Sequence, residues 1–267
     1  MTPEDHAGHG ADAFEMTPGD HAGRGADAFE QFAAGIAFRW LQPDHTLTAR
    51  QAAWRLRLDR ARCPLDLLIT RLPAQRLRLR RLLRPLCLIP RMSSFAVAAI
   101  LNRAVALMPA EQAFVNVGVW HGFTLLAGMA GNDGRRCVGV DDFSEFGGPR
   151  AAFLARFERR RAAPHAFQEM NYRAYFADRH EGPIGVYLYD GEHGYDNQLR
   201  GLETAEPHFA PGCVVIVDDT NLPEPRRATL DFVAARPGRY RILLDRRTAG
   251  NGHPTFWNGL IVLRRES

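Results

Sequence analysis

Residues 114–141 constrain the fold more than any other part of the chain. They open with FVNVGVWHG, a short apolar run carrying Gly118 and Gly122. A small-residue segment, FTLLAGMAG, follows at helical spacing, then a turn, then CVGVDD, a second apolar run closing on Asp141 and Asp142. The pattern predicts strand, glycine loop, helix, strand and acidic residue, one βαβ unit. Such a unit sets a loop with little side-chain bulk at the carboxyl edge of a parallel sheet. A nucleotide-like ligand can lie there against backbone, with the next strand's acidic residue placed to bond ribose hydroxyls.

The rhythm continues on both sides of this unit. SSFAVAAILNRAVALM reads as an amphipathic helix capped by Ser93 or Ser94. PIGVYLYDG and GCVVIVDDT read as two further buried strands, ending at Asp190 and at Asp218-Asp219, each followed by a helical pattern. YRILLD and FWNGLIVLRR close the chain without a helix between them, which predicts an antiparallel hairpin at one sheet edge. Strands alternating with helices imply an α/β fold, mostly parallel and covered on both faces.

Upstream, residues 1–30 are a tandem duplication, MTPEDHAGHGADAFE then MTPGDHAGRGADAFE. Two Gly/Ala/His/Asp units are too few for a solenoid, and the composition predicts a disordered tail. Residues 31–91 form an arginine-rich helical segment, broken by prolines, that suits a lid or a dimerisation surface; residues 92–267 form the main domain. All 34 basic residues are arginine, which reads as codon bias. Eleven arginines against two aspartates give residues 55–91 a local charge of +9, so within a net +4 the remainder carries −5. The main domain is therefore not basic, which argues against nucleic acid as a partner. No run is long enough to span a membrane, and no apolar leader is visible. The four cysteines are widely spaced, without a CxxC pair, as reduced core residues of a cytoplasmic protein would be.

Three acidic clusters end successive strands: Asp141-Asp142, Asp190 with Glu192, and Asp218-Asp219. In an open parallel sheet these ends share one rim. Carboxylates brought together without a cation repel one another, and a divalent cation with a taste for hard oxygen, Mg²⁺ or a relative, removes the conflict. The competing expectation is that they cap the helices that follow. His193, in DGEHGYD, is suited to general-base work beside such a cation, unless it is an ordinary loop histidine. The GxxxG spacing of Gly118 and Gly122 is not that of a dinucleotide loop, and a chain without lysine has no phosphate-binding lysine. A ligand with a ribose but no pyrophosphate fits best, and S-adenosylmethionine is the common one.

Taken together, FVNVGVWHG…GVDDFS…YLYDGEHGYD…VVIVDDT resembles the class I S-adenosylmethionine-dependent methyltransferases. It is most similar to their metal-dependent O-methyltransferase branch, with the macrocin and mycinamicin sugar O-methyltransferases and the cephalosporin hydroxylase-like proteins. The resemblance covers residues 92–265. It implies a Rossmann-like, doubly wound sheet of seven strands with an antiparallel last strand, here with an N-terminal helical appendage. It implies that Asn116, Gly118, Gly122, Asp141, Asp142 and Asp190 lie about the cofactor. Asp190, Asp218 and Asp219 are then the Mg²⁺ ligands, and His193 or Glu192 the base that activates a small-molecule hydroxyl. The chain departs from the family's pattern at Asn116, where an acidic residue is usual; asparagine keeps the hydrogen bonds and loses the attraction to a cationic cofactor. Two other readings compete. One is a non-catalytic protein of this fold that docks through the arginine-rich helices, as a homo-oligomer or with another partner. The other, a nicotinamide-dependent oxidoreductase, is disfavoured by the missing GxGxxG.

Overall fold

A computed structural model describes residues 18–266. In chain order the elements are α1 (Pro18–Ala34), β1 (Ala37–Phe38), α2 (Ala49–Arg60), α3 (Leu65–Ile69), β2 (Thr70–Arg71), α4 (Arg76–Leu83), α5 (Phe95–Leu107), β3 (Ala113–Val117), α6 (Phe123–Met129), β4 (Arg136–Val140), α7 (Arg150–Glu158), β5 (His165–Gln168), α8 (Tyr172–Asp178), β6 (Ile184–Tyr189), α9 (Tyr195–Ala205), β7 (Phe209–Asp218), α10 (Pro223–Ala234), β8 (Tyr240–Arg246) and β9 (Leu260–Arg265). The main sheet has seven strands in the order β5-β4-β3-β6-β7-β9-β8. Neighbours from β5 to β7 are parallel, and β9 runs antiparallel between β7 and β8. The order reverses direction at β3, which pairs with β4 on one side and β6 on the other. Loops leaving β3 and β6 diverge there to opposite faces, and the gap is the natural ligand crevice of such a sheet.

The strands are apolar throughout because both faces are covered. Phe114, Val186, Leu188, Val214, Ile216 and Val262 face one layer, which α5 and α6 pack against. Val115, Val117, Tyr187, Tyr189, Val215 and Val217 face the other, under α8, α9 and α10. The alternation slips in β6, where the register shifts between Ile184 and Val186, and again in β8 between Ile242 and Leu244. Gly185 sits in the β6 slip, where a Cβ would lie 2.1 Å from Gln112 Oε1.

Two expectations about the N-terminal half change. Helix α5 is not amphipathic in place: ten of its thirteen residues are buried. Its inner side rests on the sheet and its outer side is covered by α1, α3 and α4, so an almost wholly apolar sequence is what the position needs. The N-cap is Ser94, which accepts from Val97 N–H. The second change concerns the duplicated tail. Residues 1–17 lie outside the described residues, but from Pro18 the second copy is helical. Phe29, Phe32 and Ala33 recur at helical spacing and are buried in the core shared with α5. Glu30 accepts from Arg241 and Arg264 on β8 and β9, fastening α1 to the sheet edge. Ordering the segment costs backbone entropy, and burying a Phe side chain returns about 1.5–3 kcal/mol each. No described helix is long and apolar enough to cross a membrane.

Candidate active site

At the crevice β3 ends on Gly118, whose φ of 78° lies in the left-handed region. A Cβ there would stand 1.9 Å from the Asp190 carbonyl oxygen. Only glycine lets the ends of β3 and β6 approach this closely. The chain then turns through Val119 and Trp120 so that their N–H groups point to Asp141 Oδ2, at 2.6 and 2.8 Å. Asp141 Oδ1 accepts from Phe143 N–H at 2.7 Å. Asp141 is thus the clasp of the glycine loop. Gly122, φ 92°, opens α6, and a Cβ there would meet the Phe153 ring at 2.7 Å. Asp142 is exposed and accepts from the Ser144 N–H and hydroxyl, which together hold its carboxyl below the usual range. Asn116 does not line the crevice. It is fully buried, and its Nδ2 donates to Gly118 O at 2.8 Å, while its Oδ1 meets no partner among the described residues.

The crevice holds about 470 Å³. Its walls include Trp120, Phe143, Met170, Tyr172 and Tyr189, and its floor runs from Gly118 to Asp190, His193 and Asp219. Trp120 (φ 45°), Phe143 (φ 54°) and Phe146 (φ 50°) are non-glycine residues in left-handed backbone on one side of it. Trp120 Nε1 donates to Phe146 O and latches the two loops together. The aromatic wall was not singled out by sequence reasoning. Trp120 stood visibly inside GVWHG, but nothing local marks Met170 or Tyr172 as facing the same space.

The second group of acids is arranged otherwise. His193 Nε2 lies 2.8 Å from Asp219 Oδ2. Ligand atoms of Asp190, His193 and Asp219 all fall within 4.8 Å of one another. Asp219 Oδ1 and His193 Nδ1 are buried and have no partner among the described residues. Asp219 reaches the crevice because its backbone is left-handed, φ 57°. Asp218, the last residue of β7, is not among the residues that line the crevice. It is 1% exposed, and its Oδ1 accepts the Asp219 N–H at 2.9 Å. It is not one of the three that meet, although the resemblance gives it a ligand's role. Burial, then the charges of Asp218, Asp219 and Asp141, pushes the Asp190 carboxyl well above its ordinary range. Burial and Asp219 do the same to Asp218, against the opposing Asp219 N–H and Ser93 hydroxyl. Glu192 also lines the crevice, where it accepts from Asn197 Nδ2.

The capping alternative fails. Helices α7, α9 and α10 are capped by Pro149, Gly194 and Leu222, none through a side chain. The carboxylates at the rim therefore serve something other than helix ends. The buried, unpartnered Asp219 Oδ1 beside the raised Asp190 carboxyl suits a divalent cation with hard oxygen ligands, and it leaves His193 Nδ1 open to a proton.

Comparison with known proteins agrees with this geometry. A family model described as a methyltransferase domain matches residues 115–220, which run from β3 through Gly118, Asp141, Asp190 and Asp219. An O-methyltransferase from Bacillus cereus, solved in complex with SAH, superposes with a TM-score of 0.53 at 15% identity, covering 80% of this chain and 97% of that one. The SAH-bound Podospora anserina methyltransferase gives 0.52 at 14% identity, over 85% and 100% of the two chains. The TDP-rhamnose 3′-O-methyltransferase of calicheamicin biosynthesis gives 0.50 at 18%, over 83% and 97%. No curated protein matches the chain by sequence. The segment that forms the crevice, residues 115–220, thus matches a methyltransferase-domain model, and the chain shares the fold of these methyltransferases.

Proposed function

We propose that the chain methylates a hydroxyl of a small molecule, with a divalent cation held by Asp190 and Asp219 at the floor of the crevice. The observation that carries this reading is the His193–Asp219 pair, 2.8 Å apart and beside Asp190. S-adenosylmethionine supplies an electrophilic methyl group, and a bound cation lowers the pKa of the acceptor hydroxyl. The chain's own residues do the rest. Gly118 and the clasped turn after it leave room for the cofactor between Trp120 and Tyr172. With Nε2–H donated to Asp219, the lone pair of His193 is on Nδ1, which has no other partner and takes the hydroxyl proton. Asp219 orients the ring and steadies the imidazolium that forms. The aromatic wall excludes water from the reacting oxygen, and holding donor and acceptor in line supplies much of the acceleration. Glu192, bound to Asn197, is not needed as base.

Transfer of a labelled methyl group from S-adenosylmethionine to a panel of sugars and phenols, with Mg²⁺ or with chelator, tests the reading. Product methylated on oxygen and a loss of about 10²–10⁴ in rate for His193→Ala are expected. Full activity in excess chelator, or methyl found on carbon or nitrogen, overturns it.

A further inference from the structure

The crevice does not stop at the carboxylates. Arg91 and Ser93 line both it and a second hollow of about 440 Å³, walled by the end of α2, residues 64–66, residues 87–90 and Trp257. Arg91 is held in place where the two spaces meet. Arg91 donates to both oxygens of Asp66, at 2.7 and 2.9 Å, and to the carbonyls of Ser93 and Cys87. Asp66 in turn accepts the Phe95 N–H at the start of α5. The hollow is also tied to the reacting end. Asn221, two residues past Asp219, donates its N–H to Asn258 O at 2.6 Å and its side chain to Thr248, whose hydroxyl donates to Trp257 O. Trp257 faces the hollow while its neighbour Asn258 faces the crevice.

Two residues of this hollow hold backbone conformations that their side chains disfavour. Trp257 has φ 55°, fixed by paired backbone bonds with His253. Arg62 has φ 56° at the end of α2, where Cys63 N–H bonds Leu58 O and Arg62 N–H bonds Asp59 O. That is the Schellman ending, and its left-handed position favours glycine. An arginine and a tryptophan kept in such positions around one cavity mark it as a site whose side chains matter more than local stability. The charges agree. The lining holds three guanidiniums and two carboxylates. Asp66 is matched to Arg91 and Asp59 lies 3.9 Å from Arg55. Arg62 has no carboxylate in ion-pair reach among the described residues, and Arg55 also stands 5.9 Å over the Trp257 ring. The Cys87 thiol in the same wall is pushed up to about 12 by burial and takes no part.

We propose that the second hollow receives the far end of the methyl acceptor, and that this end is a ring bearing an oxyanion, a carboxylate or a phosphate. The oxyanion pairs with Arg62, with Arg55 beside it, and the ring lies against Trp257. The inference rests on the methyl-transfer reading, since it names that reaction's acceptor class, but its first test needs neither cofactor nor turnover. Calorimetric titration of the full chain with 4-hydroxybenzoate, phenyl phosphate and the neutral 4-hydroxybenzamide measures the site directly. Both anions, or one of them, bind at least about tenfold more tightly than the amide, as a charged hydrogen bond requires. Which anion is preferred separates a carboxylate source from a phosphate source. Arg62→Gly holds or raises Tm, because it relieves the left-handed strain, yet loses about tenfold in anion affinity with the amide unchanged. Arg62→Gln repeats the loss without glycine's flexibility. Equal binding of anion and amide, no measurable binding of either anion, or anion affinity in Arg62→Gly within twofold of the parent overturns the proposal. The two readings fail separately. Arg62-dependent anion binding without methylation of any acceptor leaves the hollow assigned and removes the reaction. Methylation that is as fast on neutral acceptors as on their anionic counterparts does the reverse.

Discussion

Asp141 and Asp219 end equivalent strands of one sheet and have opposite surroundings. Asp141 meets three backbone N–H groups and, among the described residues, no other acid at bonding distance. Asp219 meets a histidine and, within 4.8 Å, another carboxylate, and one of its oxygens is buried without a donor. A carboxylate satisfied by amides is a structural fastener, and its charge is spent on the loop it holds. Acids that face each other with unfilled lone pairs are unfavourable as they stand, and that unspent valence is what a cation or a proton in transit can use. The sheet supplies both kinds from one residue type by changing only the backbone around it.

Asp219→Asn gives the largest effect on this contrast. Asparagine tolerates φ 57°, keeps the volume and removes one of the crowded charges, so the fold should keep or gain stability. Turnover should fall by about 10²–10⁴, because His193 loses its orienting partner and the cation a ligand. Mg²⁺ or Mn²⁺ should raise the Tm of the parent and leave that of the variant unmoved, by binding linkage. Unchanged turnover with an unchanged metal response would put Asp219 in the same class as Asp141.

Gly118→Ala comes next because it strikes both regions at their contact. The new methyl would fall 1.9 Å from the Asp190 carbonyl oxygen, at a φ that alanine resists. Left-handed strain and forced displacement together cost about 2–5 kcal/mol, read by denaturant unfolding. Asp190 must move, so residual activity in the folded fraction should drop as well. Full activity per folded molecule would show that the two rims are independent.

Asp141→Ala should be smaller and of the other kind. Three N–H groups lose a charged acceptor, but the crevice admits water that replaces part of it, leaving a cost of about 2–3 kcal/mol. The loss appears as a lower denaturant midpoint and weaker cofactor binding, and saturating cofactor restores much of the rate. A variant as stable as the parent would mean that the loop holds its shape without the clasp.

How much of this was legible depends on whether a rule of short range governs it. The strands were, because FVNV, CVGV, VYLY and VVIV are apolar without alternation, as strands covered on both faces must be. The terminal hairpin and the rim of acids followed from their order. The split between Asp218 and Asp219 was not legible, because the left-handed turn that brings Asp219 inward, just past the end of β7, has no marker in VVIVDDT. Asp141 as clasp was not readable, because its partners are backbone N–H groups whose directions only the folded loop defines. The helix from Pro18 was masked by the Gly/Ala/His composition around Phe29 and Phe32. The Asp66–Arg91 pair joins residues twenty-five apart, beyond any local pattern.

A pH series tests the contrast with the least effect and from outside the rim. Beneath α8, His180 accepts or donates hydrogen bonds to the Tyr175 hydroxyl and the Gly182 carbonyl and packs against His208. Burial first, then the His208 charge, lowers its pKa from 6.5 to about 4, against the raising influence of the Gly182 bond. The unfolded chain therefore takes up the proton before the folded one does. The stability His180 contributes is complete above pH 6.5 and is lost as the pH falls toward 4. The raised carboxyls of Asp190 and Asp218 have the opposite sign: their contribution is complete below 3.8 and is lost as the pH rises through their folded values. In metal-free protein the two trends oppose each other between pH 4 and 6.5. His165, His208 and His253 are lowered too, so His180→Gln removes only its own share of the histidine trend. The slope of Tm against pH over that window should become less positive in the variant, whatever its Tm at neutral pH. A slope that stays the same would mean that His180 titrates alike in the folded and unfolded chain, and the burial argument for it would be lost.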